Sequence, residues 1–481
     1  MTCHRIALTA TLLGFGVGCA RDLPGEAPPD HAFYFPISVQ VSPDYRYAYV
    51  VSSNFDLKYN AGWVSAVDLD RVLEAVGDGA PAPVPTSDMP ALLESALVSQ
   101  LRVLSLAGNL ALNEDGSLAI LPHRGDPTVT LMEITEEGAS LTCGNANATK
   151  KLNKIEEQTD CDVDHLVRLD AKETFDEELA DNEVKDPFSA TMFTYRPETG
   201  DELPLAAVGH LSSSEDGGRL ALFEVSGRQG EEPPRLGALR AVRIGRSGVA
   251  NLAVHPDTSG AFVAGASQVS GSDSVLSTIY SIDVGRALEQ KEDGSWRRSD
   301  NVPWRHSINA ELGGLDLLGI AFSPSGQLAF VSNRRPDSVV VLDASLLTIE
   351  EIQDDGSIRH IVRPRYSVVG ATPIPDRPAG VVYVPRADVS DLVVVASFDD
   401  DVLFALTPQG TELKITGRLD NVGLGPFALA RASRGGRELL LVTTFFDHGL
   451  AIFDVTPAEP TSFELLAHLR SEETEPEREA R

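Results

Sequence analysis

Between His31 and Pro457 the chain repeats one arrangement of apolar and polar positions seven times. Each copy is an apolar stretch, a turn, a short apolar strand, a polar loop and a second apolar strand. The copy at Ile320 is the clearest: Ile320-Ala321-Phe322, the turn Ser323-Pro324-Ser325-Gly326, then Leu328-Ala329-Phe330-Val331, and after a polar loop Ser338 to Asp343. Apolar runs this short, bounded by Gly, Asp, Asn and Ser, predict buried strands rather than helices. The first strand of the pair recurs at Tyr47–Val51, Leu118–Leu121, Leu205–Val208, Ala261–Ala264, Leu392–Val395 and Leu439–Val442. Its partner recurs at Trp63–Val67, Thr130–Ile134, Leu220–Val225, Ile279–Ile282, Val402–Leu406 and Leu450–Phe453.

A unit of this size cannot bury its own apolar face, so copies must stack, and small β units stack radially. The expectation is an all-β protein, a seven-bladed β-propeller over residues 31–470 with loop and short helical insertions. Ala111, Ala253, Ala321 and Ala430 precede the turns and are expected where inner strands crowd the axis. Asp68, Asp283, Asp343 and Asp454 end partner strands, where a carboxylate accepts hydrogen bonds from amides of the following turn. Uneven spacing places insertions at 70–99, 285–317 and 344–380, and an acidic one at 145–186. From Lys154 to Asp186 there are thirteen acidic and four basic residues.

The repeat Val41-Ser42-Pro43-Asp44-Tyr45-Arg46-Tyr47-Ala48-Tyr49-Val50-Val51, with Val64-Ser65-Ala66-Val67-Asp68, resembles the YVTN-type propeller repeat. It departs from that repeat at Tyr45, where Gly is usual. Ahead of it, Ile6 to Val17 is an apolar stretch too short to anchor in a bilayer, ending at Gly18-Cys19. Leu12 to Cys19 resembles the lipobox of bacterial lipoproteins, with Gly16 where Leu is usual. The resemblance implies a signal peptide at 1–18, lipid attachment at Cys19 and an outer-membrane lipoprotein of the cell envelope, since Ala20 rather than Asp follows the cysteine. Residues 19–30 form a Pro-rich tether, and 471–481, with five Glu and two Arg, an acidic tail expected to be disordered.

The net charge is −31, which repels phosphate backbones and excludes nucleic acid as a partner. Of four cysteines, Cys3 falls in the signal and Cys19 ends it; Cys143 and Cys161 remain as a pair, predicted to form a disulfide in an exported chain. Asp160, Asp162 and Asp164 alternate as in the first half of a calcium loop, but the loop's Gly is replaced by His165. The motif search finds no nucleophile elbow, phosphate loop, zinc helix or haem attachment sequence, and no cofactor is identified.

Loops joining the two strong strands must share one face of a propeller. They carry Asn54, Asp56, His123, Arg124, Asp126, His210, Asn333, Arg334, Asp399, Asp447 and His448, a default binding surface. The function expected is therefore an envelope lipoprotein that binds a protein, glycan or small ligand. The alternative is a lactonase-like hydrolase at the channel mouth, with His123 and His210 as metal ligands or an acid–base pair.

Overall fold

Every predicted strand pair forms, and each acquires two further neighbours. The computed structural model describes residues 25–77, 86–144, 148–152, 154–169, 186–211, 218–227, 233–245, 248–268, 278–289, 303–307, 315–352 and 356–471. Seven antiparallel sheets follow one another along the chain as the blades of a ring. The first is built from Pro36–Val41, Tyr47–Ser52, Gly62–Asp68 and Leu97–Val103; the last from Pro426–Arg434, Arg437–Thr444, Gly449–Asp454 and Glu464–Arg470. The chain is a seven-bladed β-propeller.

The second and third strands of each blade are apolar on both faces because each blade is sandwiched between neighbours. Tyr47–Ser52 and Gly62–Asp68 are buried at every position. Apolar side chains from adjacent blades interleave: Ala206, Val208 and Phe223 of the third blade pack with Ile120, Val129 and Leu131 of the second. Each such fully buried side chain contributes on the order of 1.5–3 kcal/mol, so the stability of the ring resides between the blades.

Insertions 70–99, 285–317 and 344–380 each contain an outermost strand: Leu97–Val103, Pro303–Ser307 and Ser367–Pro373. The first insertion also holds the helix Met89–Ala96. In the second blade the outer edge is split. Ser140–Thr142 and Leu166–Arg168 both pair with Thr128–Thr135, and the hairpin Ala148–Leu152/Ile155–Thr159 lies between them in sequence. Cys143 and Cys161 are joined at its base, with Cα atoms 4.7 Å apart. The acidic tail beyond residue 471 and Cys19 lie outside the described residues.

The strand-ending carboxylates act as expected. Asp68 Oδ1 accepts from the Asp70 amide at 2.9 Å, Asp283 from Arg286 at 3.0 Å, Asp343 from Ser345 at 3.0 Å and Asp454 from Thr456 at 2.9 Å.

The axis differs from expectation. Six inner strands carry a β-bulge near their start, at Pro36/Ser38, Pro187/Ser189, Val249/Asn251, Leu317/Ile320, Pro378/Val381 and Pro426/Leu429. The bulge re-aims the strand, and the crowded positions become Ser38, Ala250, Gly319, Gly380 and Ala428, all lining the central channel. A Cβ on Gly319 would stand 3.1 Å from the Ala379 carbonyl, and one on Gly380 would collide with the Phe427 carbonyl. The predicted Ala111, Ala253 and Ala430 instead pack between blades, further along their strands.

The ring closes without sharing a strand between its first and last blades. Arg434 grips Asp70 through two bonds of 2.7 and 2.6 Å, and the Phe35 amide donates to His448 Nδ1 at 3.0 Å. Val39, Ala48 and Val50 pack against Leu439, Leu441 and Ile452 beneath them.

Candidate functional site

Strand direction assigns every connection to a face. A four-stranded blade sends its second-to-third loop, and the link from its outer strand to the next inner strand, to the same face. Both sets meet at one mouth of the channel and enclose a bowl of about 540 Å³. That lies within the roughly 300–1,000 Å³ typical of small-molecule sites. Ile37, Phe188, Leu318 and Phe427 form its floor and also line the channel below.

The wall is an aromatic cluster centred on Phe445, whose ring centroid lies 4.8 Å from Phe35, 5.1 Å from Phe446, 5.6 Å from Phe55 and 6.0 Å from Phe398. Phe55 is 52% exposed, unusual for a large apolar side chain. Four charged residues complete the lining: Asp56, Arg124, Arg334 and Arg377.

Three of the four are already engaged. Arg124 donates to Asp186 from Nε at 2.5 Å and Nη2 at 3.3 Å, and its guanidinium lies 5.8 Å from the Phe188 ring centroid. Arg377 Nη1 lies 3.4 Å from Asp399. Asp56 accepts from the Tyr34 hydroxyl at 2.7 Å and the Lys58 amide at 3.1 Å. Arg334 differs: it is half-buried, donates through Nε to the Pro378 carbonyl at 3.4 Å, and forms no ion pair among the described residues. Burial pulls its pKa below the ordinary arginine value, a shift opposed by Asp316, Asp399 and Asp337 nearby.

The remaining loop-face residues hold the blades together. Asn54 Nδ2 donates to the Tyr59 carbonyl at 2.7 Å and Ser105 Oγ at 2.9 Å. Asn333 Nδ2 donates to the Pro336 carbonyl at 2.8 Å, closing the turn into the next strand. Asp126 pairs with Lys150 of the inserted hairpin at 3.0 Å. Asp447 accepts from the Leu424 amide at 2.5 Å. His123 is fully buried with Nε2 2.8 Å from Thr130 Oγ1, and burial pushes its pKa down to about 3. His210 is also buried, and His448 stacks on Tyr34 with centroids 4.7 Å apart, its pKa lowered by burial to about 4. The structure does not bring these three imidazoles into the bowl.

The alternating carboxylates likewise take separate partners. Asp160 accepts from Arg102 Nη2 at 2.6 Å and Nε at 3.0 Å, while Asp162 caps the short turn at Val163–His165 and accepts from His165 Nδ1 at 2.7 Å. Among the described residues no group of three or more His, Cys, Asp or Glu is placed to hold a metal ion.

Phe35, Arg377, Phe188 and Phe427, which the loop-by-loop reading passed over, stand just before or at the start of inner strands. A sequence signal marks three of these strand starts: Pro36-Ile37-Ser38, Pro187-Phe188-Ser189 and Pro426-Phe427-Ala428 repeat proline, a large apolar residue and a small one.

No protein-family model and no curated protein matches the chain. Solved structures do resemble it. Hydrazine synthase from Kuenenia stuttgartiensis is 11% identical, covering 90% of this chain and 98% of that one, with a TM-score of 0.50. A putative 6-phosphogluconolactonase from Bacteroides uniformis is 15% identical over 80% of this chain and 84% of its own, with a TM-score of 0.46. A periplasmic gluconolactonase from Pseudomonas aeruginosa is 13% identical over 84% and 95%, with a TM-score of 0.42. At such identities the likeness speaks to fold alone.

Proposed function

We propose that this chain is a cell-envelope binding module, lipidated at Cys19, whose loop-face bowl receives a small ligand. The observation that carries the reading is the bowl itself: an aromatic wall whose Phe55 stands open to solvent, with one arginine that forms no ion pair among the described residues. An exposed apolar concavity with a few convergent polar groups is the ordinary form of a ligand site. The signal sequence and Pro-rich tether support the envelope assignment.

A lactonase-like hydrolase at the same mouth needs an acid–base pair or a set of metal ligands aimed at the substrate. Asp56 is the sole carboxylate among the described lining residues, and no imidazole is among them. Binding without turnover is the better fit. The test has two arms. A fragment library is screened by ligand-observed NMR against the wild type and Phe55→Asp; hits lost in the variant support the bowl, and hits that all persist place binding elsewhere. A lactone panel with and without Ca²⁺, Mn²⁺ or Zn²⁺ is run beside His123→Ala/His210→Ala. No turnover is expected, and hydrolysis abolished by the double substitution overturns the binding reading.

A further inference from the structure

Two observations bear on what the bowl takes. The first is its electrostatic imbalance. In a chain of net charge −31, the described lining of this cavity holds three arginines and one aspartate. Asp186 answers Arg124, Asp399 answers Arg377, and the Tyr34 hydroxyl engages Asp56; Arg334, which shares the cavity with the aromatic wall, has Asp316, Asp399 and Asp337 nearby but forms no ion pair among the described residues. Those three carboxylates act on Arg334 without pairing with it, so its guanidinium keeps donors free to meet a ligand carboxylate through two parallel bonds.

The second is where the tether lands. Glu26 bridges to Tyr59, the Asn60 amide donates to the Glu26 carbonyl at 2.8 Å, and Asn60 Nδ2 donates to the Gly25 carbonyl at 2.8 Å. Tyr59 and Asn60 belong to the same loop that gives the bowl Phe55 and Asp56. Gly25 is six positions beyond Cys19, a reach of about 22 Å at most when fully extended. A lipid on Cys19 therefore keeps the loop that forms part of the bowl close to the bilayer surface, where amphipathic molecules concentrate.

We propose that the bowl binds a free amphipathic carboxylate with a single acyl chain, its carboxylate on Arg334 and its apolar body against Phe55, Phe398, Phe445 and Phe446. The proposal rests on the binding-module reading and narrows it to one class of ligand. Loss of Arg334 removes the partner of the carboxylate and leaves the apolar wall in place, so charge selectivity and apolar affinity separate experimentally.

The purified full chain is titrated with 11-(dansylamino)undecanoate and with its uncharged methyl ester, followed by dansyl fluorescence. The acid is expected to bind at least tenfold more tightly than the ester. Arg334→Gln is expected to erase that advantage while changing ester affinity less than twofold, and Phe55→Asp, at an exposed position that the fold tolerates, to weaken both probes. Unlabelled dodecanoate is expected to displace the acid. Equal affinity for acid and ester, with Arg334→Gln indifferent, overturns the anion assignment and leaves the bowl as a site. Binding of both probes unaffected by Phe55→Asp overturns the bowl reading itself. Absence of binding by either probe overturns the ligand class. Binding to phosphatidylglycerol vesicles by protein that ignores the free acid overturns it in favour of a membrane contact.

Discussion

His448 stands on the loop face, where a polar side chain would ordinarily be read as a ligand contact, yet its surroundings make it a pin between the last blade and the first. Its Nδ1 accepts the Phe35 amide at 3.0 Å, its ring stacks on Tyr34 and meets Phe35 edge-on at 4.6 Å, and it is 1% exposed. His448→Ala leaves the buried Phe35 N–H without its acceptor, a cost of about 1–3 kcal/mol. It also removes two ring contacts worth about 0.5–1.5 kcal/mol each. Together these predict a local destabilisation of about 2–6 kcal/mol at the seam. His448→Asn retains an oxygen acceptor and tolerates the positive φ of 53° at this position, so it is expected to lose clearly less. The pH dependence has a defined sign. Burial lowers the His448 pKa from 6.5 to about 4, so the unfolded chain binds a proton that the folded seam refuses. The stability this neutral imidazole carries is complete above about pH 6.5 and falls as pH drops toward 4, reaching about 3 kcal/mol of loss. The assay is amide hydrogen exchange at Phe35, corrected for intrinsic rate. Protection is expected to fall by roughly 30-fold or more in His448→Ala, each 1.4 kcal/mol being a factor of ten, and to fall in the wild type between pH 7 and pH 4.5. Unchanged protection at Phe35 in the alanine variant would refute the reasoning.

Two further predictions concern the ends and edges of the chain. Cys19→Ser is expected to release the protein from membranes, and mass spectrometry of the native mature form to find a lipidated N-terminal cysteine; an unmodified N-terminus beyond Cys19 contradicts the anchor. Replacing Cys143 and Cys161 by Ser opens a loop with a sequence separation of 18 residues, which in the chain-entropy model costs ~3 kcal/mol; limited proteolysis is expected to cut residues 144–160 first in the serine variant, and equal resistance contradicts it.

What the sequence made legible follows from burial. The second and third strands lie between neighbouring blades, so Leu392–Ser397 and Gly449–Asp454 are almost wholly buried and read as unbroken apolar runs. Outer strands have one face in solvent: Ser367–Pro373 alternates exposed and half-buried positions and passes for an insertion. That omission had a consequence for the site. Without the fourth strands the parity of each blade is unknown, and the link carrying Arg377 cannot be assigned to the face of Arg124 and Arg334. The loop-face histidines show the converse. A polar residue at a loop looks available for ligands, but His123 and His210 close the strands Leu118–His123 and Leu203–His210 and are buried. The alanines expected on the axis are displaced for a third reason: bulges near the strand starts, which local periodicity does not encode, decide which residues face the channel.

A crystal structure of the chain grown with dodecanoate tests the central claim most directly. One acyl chain is expected in the bowl, running along Phe55, Phe398, Phe445 and Phe446, with its carboxylate within hydrogen-bonding distance of the Arg334 guanidinium. An empty bowl with Arg334 turned away from it, or an acyl chain bound on the opposite face among the turns that precede the second strands, would contradict it.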